Sequence, residues 1–168
     1  MSARKLIPDQ MEYPSFLVSP LHDTDEALRK GHYDGNPPFI TNETVSLKLV
    51  GHGERKQVYV VPLQRRLGQD EYAAYLTTKG FVPCVKAPNY LAGLMAKVSE
   101  IHMPPELRDK CLVAAEPNKP TSVFQDKERQ KCFLCVHRYG LYRIPGLVGI
   151  SGDWNTQYAL LAELAPKA

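Results

Sequence analysis

We expect the fold to be organised around three consecutive segments, Thr44-Val-Ser-Leu-Lys-Leu-Val50, Gly51-His-Gly-Glu-Arg-Lys56 and Gln57-Val-Tyr-Val-Val-Pro-Leu63. In the first segment every second residue from Val45 to Leu49 is apolar, which is the pattern of a strand with one buried face. The third segment contains an apolar, largely β-branched run, Val58 to Val61, so we expect it inside a sheet rather than at its edge. The glycines of the middle segment are typical of a loop. Together the segments predict a β-hairpin on which the rest of the chain packs.

Length and composition set the class of protein. At 168 residues and 43% hydrophobic content the chain suits one well-buried domain, which we expect to span residues 1–168. The net charge of +3 is lower than a dedicated nucleic-acid module carries. No apolar run is long enough for a membrane helix, and Pro8 interrupts the N-terminus before a signal-peptide core could form. We therefore expect a cytoplasmic protein that does not bind membranes.

The first 43 residues hold five of the fourteen prolines, which predicts a proline-rich arm that wraps the core. Within this arm Ser15 to Val18 is typical of a short strand. Asp23, three residues before Glu26, is typical of a helix N-cap, and Gly31 of its end.

Downstream, periodicity predicts further helices and strands. One helix is expected over Gln69 to Lys79, with Gly80 at its end, and a second from Pro88 to the Pro104-Pro105 pair. A third is expected after Asp153, because Trp154, Tyr158, Leu161 and Ala165 would lie along one side of it. Strands are expected at Cys111 to Ala115, Ser122 to Gln125, Lys131 to Arg138 and Leu147 to Ile150. This order predicts an α+β fold, with a mixed or antiparallel sheet of five to six strands and three helices on one face.

Several short motifs carry a family resemblance. They are Ile40-Thr41-x-Glu43, Leu47-Lys48, Gly53-Glu54-Arg55, Gly80-Phe81-x-Pro83, Leu91-x-x-Leu94, Pro105-Glu-Leu107, Val113-Ala-Ala115 and Asp153-Trp-Asn155. In layout, from about Ile40 to the C-terminus, the chain resembles a family of small uncharacterised bacterial proteins with no assigned function. Pro117-Asn-Lys-Pro120 departs from the small-residue turn of that layout. The resemblance implies a bacterial or phage-type cytosolic protein.

Cys132-Phe-Leu-Cys135 has the spacing of a zinc knuckle or a redox pair, with His137 as a possible third ligand. Residues three apart in a strand point to opposite faces, so these two cysteines should not chelate one ion unless the strand is broken. We therefore expect four reduced, mostly buried cysteines and no cofactor.

A second cluster of potential ligands lies near the N-terminus. His22, Asp23, Asp25, Glu26 and His32 combine imidazole and carboxylate groups, and His22 and Glu26 are spaced to share a helical face. A solvated, capped helix start explains the same residues. The alternative function that we keep open is a small metal-dependent hydrolase or nuclease using this cluster.

The remaining signal is cationic and aromatic. The residues that we expect to form a contact surface are Arg65, Arg66, Arg138, Tyr139, Tyr142 and Arg143. Arginines beside tyrosines suit single-stranded nucleic acid and also anchor protein interfaces. The sequence supplies no nucleophile, base and orienting group together, so our main prediction is a non-enzymatic binding or regulatory protein. The low net charge favours a protein partner slightly over nucleic acid.

Overall fold

The computed structural model describes residues 13–48, 53–68, 71–98, 102–116, 119–139, 142–150 and 154–166. Its strands are β1 (Ser15–Val18), β2 (Lys56–Pro62), β3 (Phe81–Pro83), β4 (Cys111–Val113), β5 (Phe124–Gln125), β6 (Lys131–Tyr139), β7 (Tyr142–Gly149) and β8 (Tyr158–Leu164). Its helices are α1 (Thr24–Lys30), α2 (Tyr72–Thr78) and α3 (Ala87–Lys97), with 3-10 turns at Pro105–Leu107 and Pro120–Ser122. The α+β class is confirmed, with eight strands rather than five or six.

The strands form one mixed sheet in the order β1-β2-β8-β4-β6-β5, in which β3 also pairs with β8 and β7 with β6. All pairs are antiparallel except β4 with β8, which are parallel. As expected, β2 lies inside the sheet. The last strand in sequence, β8, is therefore central in space, since it hydrogen-bonds β2, β3 and β4.

Each face of the sheet carries its own apolar core, and successive residues of the strands alternate between the two. The α3 face, covered by α1 and α3, buries Val58, Leu112, Val136 and Leu161 together with much of α3. The α2 face buries Val113, Phe133, Cys135, Leu160 and Trp154 beneath Tyr72 and Leu76 of α2. The helices thus cover both faces, whereas the sequence predicted them on one.

Close backbone contact explains the glycine inside α3. A Cβ added to Gly93 would lie 2.0 Å from the carbonyl oxygen of Ser19. Only glycine lets α3 approach the segment after β1 this closely. Gly93 is therefore a packing residue, although glycine lowers helix propensity.

The predicted hairpin is wrong, because its first segment is not a strand over the described residues 44–48. The alternation did identify buried positions, since Val45 and Leu47 are 1% and 3% exposed. Their carbonyl oxygens, however, accept hydrogen bonds from side chains of helices, Thr24 Oγ1 for Val45 and Asn89 Nδ2 for Leu47. Because helix side chains supply these hydrogen bonds, the segment lies over the α3 face as irregular chain. β2 pairs with β1 and β8, not with this segment.

The predicted C-terminal helix is also wrong, because Tyr158 to Leu164 form β8. Four consecutive residues of β8, from Ala159 to Ala162, are fully buried. A short run that is apolar on both faces fits a central strand as well as a buried helix, and here neighbouring strands supply its hydrogen bonds. Asp153, the expected cap, lies outside the described residues.

Other predictions were confirmed. β1 covers the expected residues, and the Asp23 side chain accepts a hydrogen bond from the Glu26 backbone N–H at the start of α1. Gly80 follows α2 with a φ of 83°, a conformation that favours glycine. β5, β6 and β7 form an antiparallel unit as expected, although β5 is limited to Phe124–Gln125 and β7 begins at Tyr142 rather than Leu147. The third helix ends earlier than expected, at Lys97.

The N-terminal arm is described only from residue 13, where β1 joins the sheet edge and α1 packs on the α3 face. Wrapping of the core by an arm stays a prediction. In the described parts of the chain, no helix combines the length and apolar character needed to cross a membrane.

Candidate metal centre

Three potential metal ligands converge on the α2 face of the sheet. The ligand atoms of Cys111, Cys135 and His137 all lie within 4.8 Å of one another. Cys111 Sγ is 3.6 Å from His137 Nδ1, and Cys135 Sγ is 3.5 Å from His137 Nε2. Among the described residues, this is the one group of three or more His, Cys, Asp or Glu that meets this distance.

Strand register brings the three side chains together. Cys135 and His137 are two residues apart in β6, so they point to the same face. β4 pairs with β6 so that Leu112 lies opposite Val136 and Val113 opposite Cys135. Continuing this antiparallel register places Cys111 opposite His137. The cluster is therefore built on two hydrogen-bonded strands in the middle of the sheet.

Gly146 supplies the space that the imidazole of His137 occupies. It lies on β7 directly opposite Cys135, and an added Cβ would be 2.9 Å from both Cδ2 and Nε2 of His137. The same Cβ would lie 3.7 Å from Cys135 Sγ. Any larger residue at this position would displace the ring.

The electrostatics of the cluster favour one thiolate in the metal-free protein. A hydrogen bond from the Cys135 thiol, with a further hydrogen bond and positive charge from His137, lowers the pKa of Cys111 to about 6 despite burial. The pKa of Cys135 is raised well above its ordinary value, by its hydrogen bond to Cys111 and by burial. The hydrogen bond to Cys111 also raises the pKa of His137. The Cys111 thiolate therefore lies beside a Cys135 thiol and an imidazole whose protonated form it favours.

A cavity of about 170 Å³ opens on one side of the cluster. It is lined by Asp109, Cys111, His137, Arg138, Gln157 and Tyr158. Cys135 is fully buried and is not part of this lining. The cluster consequently has a closed side, formed by the sheet core, and an open side at Cys111 and His137.

The placement of the two cysteines suits a shared ion better than a disulfide. Cys111 lies opposite His137, so Cys111 and Cys135 are diagonal neighbours across the strand pair. The Cα atoms of diagonal neighbours are about 7 to 8 Å apart, beyond the usual disulfide range of about 4.4 to 6.8 Å. All four cysteines are free and buried.

The CxxC motif does not form a site by itself. Cys132 and Cys135 are three residues apart in β6, so their side chains point to opposite faces of the sheet. Cys132 Sγ lies 3.5 Å from the carbonyl oxygen of Gln130. The expectation that Cys132 and Cys135 point to opposite faces is therefore confirmed. His137 joins Cys135, and the third member is Cys111, which the sequence analysis did not connect with them. The Cys135-x-His137 spacing within a strand was the available signal, because period 2 places both on one face.

The acidic and histidine-rich N-terminal cluster is not brought together as a ligand set. His22, Glu26 and His32 are all described, and they do not form a group within 4.8 Å. Asp23 caps α1, while Glu26 accepts a hydrogen bond from Lys30 Nζ at 2.7 Å. These contacts match the capped-helix interpretation.

The expected cationic and aromatic surface is divided between the interior and the exterior. Arg138 and Arg143 are 3% and 1% exposed, which corrects the expectation that they lie at the surface. The Arg143 guanidinium donates hydrogen bonds to the carbonyl oxygens of Gly31, Met95 and Val98, and Arg138 Nε donates to that of Leu107. Both arginines therefore connect the α3 face of the sheet to the helices and the turn that cover it.

The other members of that surface lie apart in the sheet. Tyr142 is 62% exposed on β7, and Arg65 and Arg66 are exposed in the loop after β2. Three strands, β8, β4 and β6, separate β2 from β7. Tyr139 is the last residue of β6. Partner binding by these four residues stays a prediction.

Comparisons with protein-family models, with curated proteins and with solved structures gave no match to this chain. No function is therefore carried over from a relative.

Proposed function

We propose that this protein binds a divalent transition-metal ion, with Zn²⁺ as the best fit, through Cys111, Cys135 and His137. The observation that carries the proposal is the convergence of these three ligand atoms within 4.8 Å. Two thiolates and an imidazole are ligands that zinc prefers, whereas calcium and magnesium prefer oxygen.

The distances support a shared ion. Zinc bonds sulfur at about 2.3 Å and histidine nitrogen at about 2.0 to 2.1 Å, so ligand atoms around one tetrahedral ion are roughly 3.5 to 3.8 Å apart. The two sulfur-to-nitrogen contacts in the cluster are 3.6 Å and 3.5 Å. Because they involve different ring nitrogens, one of the side chains must rotate to bring both sulfurs and one ring nitrogen to the same ion.

The charges of the metal-free cluster also support binding. The Cys111 thiolate supplies a negative charge in a buried site, where an unpaired charge is costly. Binding of an ion would displace the Cys135 thiol proton, so that two thiolates and a neutral imidazole nitrogen face the ion. The bound site of a divalent ion with two thiolates and a neutral imidazole is electrically neutral.

The test compares cysteines that belong to the cluster with one that does not. Metal-free protein titrated with Co²⁺ should develop thiolate-to-cobalt charge-transfer absorption that saturates at one ion per chain, and elemental analysis of protein purified with zinc should give the same ratio. Cys111→Ser and Cys135→Ser should weaken binding strongly, since each removes a ligand. Cys132→Ser is the matched control, because Cys132 lies on the same strand as Cys135 but points away.

Zinc should also raise the melting temperature of the parent protein. An ion that binds only the folded state stabilises it by about 2.7 kcal/mol at 100 times its dissociation constant. Absence of cobalt-thiolate absorption in the parent, or equal binding by the Cys111→Ser and Cys132→Ser variants, would refute the proposal.

A further inference from the structure

We infer, on the premise of the metal site proposed above, that the ion keeps one exchangeable coordination position and that this position takes a small monodentate ligand from the adjoining cavity. Structural zinc sites are closed by four protein ligands, whereas sites with three protein ligands keep a position for water or substrate. The cluster has three.

No further protein ligand of the usual kinds completes the set in the described part of the chain. The group within 4.8 Å contains Cys111, Cys135 and His137, and the carboxylate of Asp109 is outside it. Asp109 is exposed and contributes to the cavity lining. With these three protein ligands from the described residues, the fourth position is left to water or another small ligand.

The direction of that position follows from burial. Cys135 lies on the closed side with no exposed surface, while Cys111 and His137 line the cavity. An ion bound by all three has its remaining side towards the cavity. The open coordination position and the open space consequently coincide.

The size and charge of the cavity define the class of ligand. A volume of about 170 Å³ corresponds to about five or six water molecules at roughly 30 Å³ each, so it admits a ligand of a few non-hydrogen atoms. The ion with its two thiolates is neutral, and the Arg138 side chain lies on the opposite face of the sheet, where it donates to Leu107 O, so the charged group near the cavity is Asp109. A small monodentate ligand, such as water or azide, fits the open position and the size of the cavity.

The experiment uses the full chain loaded with Co²⁺ and compares two carboxylates of different size. Azide and acetate should shift the visible cobalt bands in a saturable way while the thiolate charge-transfer absorption remains, because they replace bound water without removing protein ligands. 1-Naphthoate carries the same carboxylate as acetate on a much bulkier two-ring system, so it should shift the bands less than acetate at the same concentrations.

A cavity-filling variant tests the path of the ligand. Gln157 lines the cavity and accepts a hydrogen bond from the Cys111 N–H through its backbone oxygen at 2.7 Å, a bond that substitution of the side chain retains. Gln157→Phe should therefore keep the cobalt-thiolate bands and lose the response to acetate. Gln64→Phe, at an exposed loop position, is the control and should respond like the parent.

The possible results separate this inference from the proposed function. Cobalt-thiolate bands that do not respond to azide or acetate would overturn the open position and leave the metal site standing. A response to naphthoate equal to that of acetate would overturn the cavity as the ligand site. Failure to form cobalt-thiolate bands would refute the metal site and this inference together.

Discussion

Replacement of Arg143 by methionine should destabilise the protein strongly, because this arginine joins β7 to the ends of two helices. Its side chain is 1% exposed. The guanidinium donates hydrogen bonds to Gly31 O and Met95 O, each at 2.9 Å, and to Val98 O. Gly31 is the C-cap of α1 and Val98 that of α3, so the cation also lies at the negative ends of both helix dipoles.

The magnitude follows from the three carbonyl groups that Arg143→Met leaves without their donor. A buried polar group that loses its partner costs about 1 to 3 kcal/mol. Methionine keeps much of the apolar stem and removes the cost of burying the charge. We therefore expect a loss of about 3 to 5 kcal/mol in the free energy of unfolding. For a chain of this size the melting temperature should fall by about 6 to 20 °C.

The assay is urea unfolding followed by circular dichroism, with Arg65→Met as the matched control. Arg65 has a side chain 58% exposed and an ion pair with Glu71 at 3.2 Å. Exposed ion pairs contribute about 0 to 1 kcal/mol, so this variant should unfold nearly like the parent. Equal unfolding midpoints for the Arg143→Met and Arg65→Met variants would show that the buried hydrogen bonds do not hold the helices to β7.

Three further predictions concern the cluster and its surroundings. Gly146→Ala should weaken Co²⁺ binding about 10-fold or more, the range seen for changes around metal ligands, because the added Cβ displaces His137. Gly149→Ala is the control and should bind Co²⁺ like the parent, since no atom lies within 4 Å of its added Cβ. Equal Co²⁺ affinities of the two variants would show that Gly146 does not make room for the imidazole. In metal-free protein, alkylation of Cys111 should accelerate as pH rises through about 6, because the thiolate is the nucleophile. The other three cysteines have raised pKa values and should stay unmodified at neutral pH. Mass spectrometry that finds a midpoint for Cys111 near the ordinary thiol pKa of about 8.5 would contradict this. Trp154→Ala should cost about 3 to 5 kcal/mol, because Trp154 is 2% exposed and its ring packs against three aromatic rings, and an unchanged melting temperature would count against it.

Local chemistry in the sequence was sufficient for the elements whose contacts lie close along the chain. The Asp23 cap, the glycine at position 80 and the β5-β6-β7 unit depend on residues near one another, so capping and turn rules identified them. Burial was also readable, as Val45, Leu47 and Trp154 are interior although none lies in the predicted element. Alternation and apolar content report burial, but they do not specify which groups complete the backbone hydrogen bonds.

The sequence by itself determined the α+β class, the interior position of β2 and the common face of Cys135 and His137, because these follow from residue type and a period of two. Only the tertiary structure decided the rest. It made Tyr158–Leu164 a central strand, because β2, β3 and β4 supply its partners. It buried Arg143 against carbonyl groups 45 or more residues away in sequence. It also brought Cys111 to His137 across 26 positions of the chain, through a register between β4 and β6 that neither strand encodes alone.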